Sequence, residues 1–296
     1  MWRTGLLILI TACTAGSAAA ARWRLSGAVG GRAGRDGPPE RIVSLAPALT
    51  ETCCALGLRD RLVGRSRYCD WPPEIRDVPD VGALIDPSLE RILLLKPDLI
   101  LVAEAGKDLR GQLDSAGLAY LVLPNRRLAD VFESIRRIAE ATRCEVEGDR
   151  LIGAMRQRFE AVRLTSAGRP ARRVMLCISA SRLPMPLPWV AGPDSYLGEL
   201  VALAGHRAVP SDLGADYGEI SFEQVLRTDP DAIIEFRGLA GEARGAASDP
   251  AEAWGTLGPL RAARERRVYL LHGTQHVTPG PRCVETLKEI ARVLTE

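Results

Sequence analysis

The 296-residue sequence predicts an α/β protein of two similar lobes, each with a mainly parallel sheet, joined by one long helix. Three observations favour this architecture: a segment that occurs twice, an alternation of apolar strands with helices, and a long amphipathic stretch near the middle of the chain. Two similar lobes also predict a cleft between them, and this cleft is the main lead to function.

The internal repeat consists of two similar segments, residues 88–102 (SLERILLLKPDLILV) and residues 221–235 (SFEQVLRTDPDAIIE). In each copy a Glu, Glu90 or Glu223, follows the Ser by two positions, and a Pro-Asp pair follows that Glu by seven and eight. A β-branched run comes next. A helix that begins with an acidic residue, ends before a Pro and leads into a buried strand is a complete αβ unit.

The first half of the chain alternates strands with helices. We expect Ala46-Pro47 to end the first strand and Thr50 to cap the helix that follows, which runs to Leu58. Such alternation favours a parallel sheet covered on both faces. The expected strands are residues 41–45, a strand that begins at Leu62, 99–102 and 120–123, with further helices in the repeat and at 106–116.

The middle of the chain predicts helices that link the lobes. Residues 128–142 are amphipathic, and a second pattern runs from residue 145 to about 164. There Leu151, Met155, Phe159 and Val162 recur at steps of four, four and three, which is the apolar stripe of a long helix. A second αβ series follows, with strands at 173–178 and 268–271 and helices at 195–204 and 281–295, besides the repeat. A long connecting helix is a more rigid link than strand hinges.

The N-terminus predicts export. A short positive start precedes the apolar residues 6–10, a run too short to cross a bilayer, and this order is typical of a secretory signal. Cys13, preceded by small and aliphatic residues, also resembles the bacterial lipobox, in which the Cys carries lipid. Ordinary cleavage within residues 18–21 is the alternative. We favour lipidation at Cys13, and either interpretation places the protein in the periplasm or at the outer face of the cytoplasmic membrane.

These patterns give the expected domain boundaries. Residues 22–40 are rich in Gly, Arg and Ala without hydrophobic periodicity, so they are interpreted as a flexible tether. The divisions are a signal at 1–21, this tether, an N-terminal lobe at 41–126, linking helices at 127–168 and a C-terminal lobe at 169–296.

Composition limits the function classes. Hydrophobic residues make up 46% and charged residues 26%, as in a globular protein with a sizeable core. The net charge is only +2 and no basic cluster is interleaved with aromatics, so nucleic-acid binding has little support. An enzyme is also disfavoured, because the chain has no nucleophile elbow, no phosphate-cradling Gly loop and no GxGxxG after a strand.

Metal and disulfide chemistry receive little support as well. Besides Cys13 the chain has six Cys residues, which an oxidising compartment could pair or the core could bury as thiols. Their spacings resemble no zinc site. His272 and His276 are four apart, but Gly273 and Pro279 predict a loop there, and we expect neither a bound metal nor a cofactor of the protein itself.

Four segments, in order, resemble one family. Residues 41–51 (RIVSLAPALTE), 67–74 (RYCDWPPE), 88–92 (SLERI) and 96–99 (KPDL) are similar to the periplasmic solute-binding proteins that serve ATP-binding-cassette (ABC) importers for cobalamin, haem and ferric siderophores. The resemblance covers residues 41–296. It implies two Rossmann-like lobes bridged by a long backbone helix, with a ligand cleft between the lobes. It also implies that one Glu on each lobe docks onto basic residues of the membrane permease, and the motif match identifies these as Glu90 and Glu223.

Elementary physics agrees with that docking role. A carboxylate in the first turn of a helix is stabilised by the helix macrodipole even when it is exposed to solvent. Two such carboxylates on separate lobes can form charge-assisted hydrogen bonds with Arg pairs of a two-fold permease. Each Glu alone could equally be an ordinary helix-start acid.

Ligands of doubly wound lobes lie beyond the carboxyl ends of the strands, which predicts two walls of the cleft. Tyr68, Trp71 and Trp189 can stack on a flat macrocycle, although each could equally pack at a lobe edge. His276 could contact the ligand, and Arg282 could pair with an anionic group or cap its helix. The expected ligand-binding residues are Pro47, Ala48, Tyr68, Asp70, Trp71, Leu84 and Glu104 on one wall, and Trp189, Tyr217, His276 and Arg282 on the other.

The resemblance implies cobalamin or a related corrinoid as the ligand, with a ferric siderophore or haem as the alternative. Cobalamin binders tend to carry further aromatics where this chain has Leu84 and Ala103. The expected partners are thus a small metal chelate and an ABC permease of the inner membrane, with membrane contact only through the lipid. We expect the protein itself to be a monomer.

Overall fold

The computed structural model describes residues 29–30, 37–179, 187–237 and 249–295. Two separate sheets form within these ranges, one from the N-terminal half and one from the C-terminal half, which confirms the predicted two-lobe α/β architecture. The predicted signal at 1–21, and Cys13 with it, lies outside the described residues.

The first sheet has five strands in the order β1-β5-β4-β2-β3. All neighbours are parallel except β1, which pairs antiparallel with the edge of β5. The strands β4 and β5 are buried along their whole length, as expected of a sheet covered on both faces. The elements of this lobe are β1 Val29–Gly30, β2 Ile42–Ser44, α1 Pro47–Ala55, β3 Leu62–Arg65, α2 Leu89–Leu94, β4 Leu99–Ala103, α3 Arg110–Ser115 and β5 Tyr120–Leu123.

The lobes are linked by two helices, α4 Leu128–Thr142 and α5 Glu145–Ser166. Arg143 separates them in a left-handed conformation at φ 57°. The 22 residues of α5 span about 33 Å. Of the predicted stripe, Met155, Phe159 and Val162 are buried, and Leu151 is half-buried. The predicted long connecting helix is therefore confirmed.

The second sheet has the order β11-β10-β6-β7-β9, and β8 pairs with the first half of β6 on the same edge as β7. β7 runs antiparallel to both of its neighbours, β6 and β9, and all other pairs of strands in this sheet are parallel. The elements are β6 Arg173–Ser179, β7 Trp189–Ala191, α6 Tyr196–Leu203, β8 Arg207–Val209, β9 Tyr217–Glu219, α7 Phe222–Thr228, β10 Ala232–Arg237, α8 Pro250–Gly255, α9 Arg261–Arg264, β11 Val268–His272 and α10 Cys283–Val293.

The repeat corresponds to two matching helix starts. Ser88 and Ser221 each accept a hydrogen bond from a backbone N–H three residues on, at 3.3 Å and 3.2 Å, so both are N-caps. The expected strands follow each helix as β4 and β10. Glu90 and Glu223 occupy the same place in the first turn of α2 and α7.

One apolar core runs through both lobes. A single cluster of buried side chains includes Leu101 and Leu121 of the first sheet, Phe159 of α5, and Leu176 and Ile234 of the second sheet. Burial of apolar area that is continuous across the lobe boundary resists large rotations of one lobe against the other. The core thus supports the rigid link that the long helix predicts.

The structure differs from the predicted elements at the start of α1 and within the tether, and it adds three short strands. The helix α1 begins at Pro47 with Ala46 as N-cap, not at Thr50, because Pro is preorganised for the first helical position. Thr50 and Glu51 are consequently buried inside the helix. Val29–Gly30 forms a strand within the predicted tether, since a two-residue pairing needs only backbone hydrogen bonds. The strands β7, β8 and β9 were not predicted, because three residues are too few to show a period.

Candidate functional site

The carboxyl ends of the two sheets face each other across the lobe boundary. The loop after β3 carries Asp70, whose carboxylate accepts a hydrogen bond from Thr274 Oγ1, just after β11, at 3.2 Å. At the other side Arg126, after β5, pairs with Asp216 before β9 at 2.7 Å. The cleft lies where doubly wound sheets usually place their ligands.

A cavity of about 500 Å³ lies between the lobes. That size falls in the range of small-molecule binding pockets. Residues from both lobes line it, namely Asp70, Trp71, Pro73 and Arg76 from the first, and Gly273, Thr274, Gln275, Arg282 and Glu285 from the second. The lobes therefore do not close completely against each other.

Among the residues that the structure describes, three large aromatic side chains are exposed, unlike the buried Trp254 and Tyr196. The exposed fraction is 51% for Tyr68, 45% for Trp71 and 41% for Trp189. Trp71 lines the interlobe cavity. Exposed rings beside a cavity provide flat apolar surface for a ligand to stack on.

Arg282 forms a buried ionic contact between the lobes. Its guanidinium lies 2.5 Å from Glu51 Oε1 and 4.8 Å from the centre of the Trp71 ring. Only 3% of the Glu51 side chain is exposed, compared with 20% for Arg282. The guanidinium is thus held between a buried carboxylate and an aromatic face, and an Arg in this arrangement is fixed in orientation.

Burial raises the pKa of Glu51, although the hydrogen bond and charge of Arg282 act in the opposite direction, and Asp70 adds to the increase. Within the described residues, Glu51 Oε2 and Arg282 Nε are buried without a hydrogen-bond partner. Because Glu51 already neutralises Arg282, the cavity offers an oriented cation with little excess charge. This arrangement suits a ligand with polar groups around a flat body.

The predicted first wall is placed as follows. Asp70 and Trp71 line the cavity, and Tyr68 belongs to the same loop. Pro47 and Leu84 are half-buried, whereas Glu104 is exposed at the end of β4. Ala48 is buried where Gly280 approaches it, since a Cβ atom on Gly280 would lie 3.3 Å from Ala48 Cα.

Of the predicted residues of the second wall, only some line the cavity. Arg282 lines the cavity, Trp189 is exposed at the start of β7, and Tyr217 is half-buried in β9. Burial raises the pKa of Tyr217 to about 12, so its hydroxyl stays protonated and can donate a hydrogen bond.

His276 lies in a short helical turn instead of the expected loop. The expected loop instead contains a 3₁₀-helix over Thr274–Val277, which turns the ring inward, so that the residue is only 4% exposed. Its Nδ1 lies 3.3 Å from Thr286 Oγ1, and burial lowers its pKa. Its Nε2 lies 3.2 Å from Nε2 of Gln275, which lines the cavity, and a direct contact of His276 with the ligand stays a prediction.

Sequence reasoning missed several residues of the site. Glu51, Arg76, Thr274, Gln275 and Glu285 were not among the predicted ligand-binding residues. The loop between β11 and α10 carries no motif that identifies its lining residues. For Glu51 the missing signal was the start of α1 at Pro47, which places its side chain one turn further into the helix.

Glu90 and Glu223 are exposed, and within the described part of the chain no hydrogen bond or ion pair occupies either carboxylate. Their role in docking stays a prediction.

The six Cys residues at 53, 54, 69, 144, 177 and 283 are free thiols. Burial raises the pKa of Cys54 and of Cys69 to about 11, which keeps both thiols protonated.

The described residues contain no group of three or more His, Cys, Asp or Glu side chains arranged to hold a metal ion. No helix among them has the length and apolar character needed to cross a membrane.

Comparisons with known proteins agree with this geometry. The vitamin B12-binding protein of Pectobacterium carotovorum is 32% identical over 198 residues, which cover 66% of this chain and 71% of that protein. The uncharacterized ABC transporter substrate-binding lipoprotein YvrC of Bacillus subtilis is 28% identical over 86% of this chain and 79% of its own length. The crystal structure of the periplasmic vitamin B12 binding protein of Vibrio cholerae superposes with a TM-score of 0.73 at 27% identity, over 87% of this chain and 97% of that one.

A family model described as periplasmic binding protein matches residues 42–274, which is most of the chain. The match begins at β2 and ends in the cavity-lining loop after β11. It therefore includes both lobes and the helices that link them. The chain belongs to the periplasmic binding protein family.

Proposed function

We propose that the protein is the extracytoplasmic solute-binding component of an ABC importer and that it captures cobalamin or a related corrinoid in the interlobe cleft. The observation that carries the proposal is the cavity shared by the two lobes, with Trp71 and the oriented Arg282 in its walls. The names of the relatives from Pectobacterium and Vibrio support the choice of ligand.

The chemistry of the cavity suits a corrinoid. A corrin ring has a broad face for stacking on aromatic side chains and carries amide groups around its edge. Asp70 and Glu285 offer acceptors for amide N–H groups, whereas Arg76 and Gln275 offer donors for amide oxygens. Because the acidic and basic side chains of the cavity balance each other, the cavity favours a ligand whose edge carries neutral amide groups.

A ferric siderophore or haem is the second candidate in the same role. The observation that favours it is the pair of cations Arg76 and Arg282 in the cavity, since each can bind a carboxylate. Glu51 weakens this alternative, because it already occupies Arg282.

Delivery follows capture. In this proposal the loaded protein presents Glu90 and Glu223, one on each lobe, to basic residues of the permease in the cytoplasmic membrane. The continuous core limits lobe motion, so the distance between the two carboxylates stays nearly fixed. The protein acts as a binding protein without catalysis, as a monomer, in the periplasm or anchored by a lipid on Cys13. The family description and the lipoprotein among the relatives support this location.

Titration calorimetry of the purified protein with cyanocobalamin, hemin and a ferric hydroxamate tests the ligand. We expect cyanocobalamin to bind at one site per chain, and Trp71→Ala to weaken that binding about tenfold or more, because the stacking face is lost. Trp71→Phe is the matched control, since it keeps an aromatic ring and should retain most of the affinity. Binding of only the iron chelates would favour the second candidate, and equal affinity of the Ala variant and the wild type would contradict the role of Trp71.

A further inference from the structure

The two repeat helices expose a leucine at equivalent positions. In the alignment of the repeat, Glu90 corresponds to Glu223 and Leu93 to Leu226. The residues between them, Ile92 and Val225, are both fully buried, so the two helices rest on their lobes in the same way. Leu93 is 45% exposed and Leu226 is 39% exposed.

Each leucine lies beside the acidic residue of its helix. Residues three apart on a helix share a face, so Leu93 neighbours Glu90 and Leu226 neighbours Glu223. On α2 the next residue, Leu94, is 74% exposed and enlarges the apolar area. We call these the two acidic–leucine patches: Glu90 with Leu93 and Leu94, and Glu223 with Leu226.

Single exposed leucines are common and by themselves need no explanation. Here the exposure is repeated at equivalent positions, in each case next to a carboxylate without a partner among the described residues. The second patch is also preformed, because Leu226 lies over Gly258: a Cβ atom at position 258 would come within 2.8 Å of Leu226 Cδ2. A preformed apolar contact loses little side-chain entropy on binding.

We infer that the acidic–leucine patches are the complete docking units for the permease, in which each leucine inserts into an apolar depression next to the basic residues that receive the Glu. This inference rests on the proposed function. An exposed carboxylate beside an exposed leucine, repeated on each lobe, calls for a two-fold partner with a cation beside an apolar surface on each half, and the permease of the proposed function is that partner. The leucine contact excludes water from the Glu–Arg hydrogen bonds, which strengthens them.

Binding of the ligand-loaded protein to its permease in nanodiscs tests the inference. The double variant Leu93→Ser/Leu226→Ser should weaken docking about tenfold or more while the affinity for cyanocobalamin stays unchanged, and Leu94→Ser alone should weaken docking by a smaller factor. Leu164→Ser on α5 is the matched control, because Leu164 is 60% exposed far from either repeat helix in sequence, and it should bind like the wild type.

The Glu90→Arg/Glu223→Arg variant separates this inference from the proposed function. Should charge reversal abolish docking while the serine variants bind normally, the leucine inference is overturned and the docking role of the Glu residues stands. Should neither set of variants alter docking, both fail. Leu94 is the most exposed of the three leucines, so Leu94→Ser should leave the fold intact. If the double variant unfolds, the docking of this single variant still tests the inference.

Discussion

Arg282→Met is expected to lower the free energy of unfolding by about 3 kcal/mol at pH 7, because it leaves a buried carboxylate without its cation. Glu51 is only 3% exposed and its Oε2 already lacks a hydrogen-bond partner, so the carboxylate depends on the guanidinium for its neutralisation. The loss should also remove the cation from the face of Trp71. Urea unfolding followed by circular dichroism measures the change.

The effect of Arg282→Met depends on pH in a defined direction. Burial raises the pKa of Glu51, and Arg282 opposes that increase, so the variant raises the pKa further. A carboxyl group whose pKa is higher in the folded than in the unfolded state binds its proton more tightly when folded. The destabilisation is therefore small below the unfolded pKa of about 4.5 and grows as the pH rises above it. Unfolding at pH 4.5 and pH 8 should show this difference.

The double variant Glu51→Gln/Arg282→Met is the control for that experiment. A neutral amide at position 51 removes the buried charge, so the double variant should be more stable at pH 8 than Arg282→Met alone. An equal loss of stability at both pH values, or no recovery in the double variant, would contradict the buried ion pair as the contact that holds the lobes together here.

Glu90→Arg/Glu223→Arg is expected to lower ligand uptake about a hundredfold or more in proteoliposomes that contain the permease. Charge reversal replaces two sets of charge-assisted hydrogen bonds with repulsion between like charges. Ligand affinity should not change, because neither Glu lines the interlobe cavity. Uptake of radiolabelled cobalamin, measured beside calorimetry of the same proteins, checks both parts.

A matched control is available in the first turn of α5. Glu145 and Glu147 are exposed helix-start acids like the docking pair. Glu145→Arg/Glu147→Arg changes the net charge by the same amount, so it should leave uptake near the wild-type rate. If the two double variants slowed uptake equally, the effect would belong to net charge and the assignment of Glu90 and Glu223 would fail.

The sequence predicted the fold well wherever a pattern was long enough to show a period. The repeat located α2 and α7, and the stripe from Met155 to Val162 located α5. The start of α1 was misplaced, because Pro47 after an apolar strand was interpreted as a terminator although it occupies the first helical position. The short strands β7, β8 and β9 form by pairing with residues distant in the chain, and the local sequence does not predict that pairing.

The candidate site was predicted in part for a similar reason. Asp70, Trp71 and Arg282 were predicted as ligand-binding residues, and the structure brings them together on one cavity. Glu51 was missed because its importance arises from a partner 231 positions away in the chain. For His276 the role toward the ligand stays a prediction: Gly273 and Pro279 indicated a loop, whereas a turn of 3₁₀-helix forms and buries the ring.

A crystal structure of the protein grown with cyanocobalamin tests the central claim most directly. We expect one corrin ring bound in the cavity between the two sheets, in contact with Trp71, with the Arg282–Glu51 pair intact beneath it. A corrinoid bound outside this cavity, or crystals that stay free of it at saturating concentration, would contradict the account.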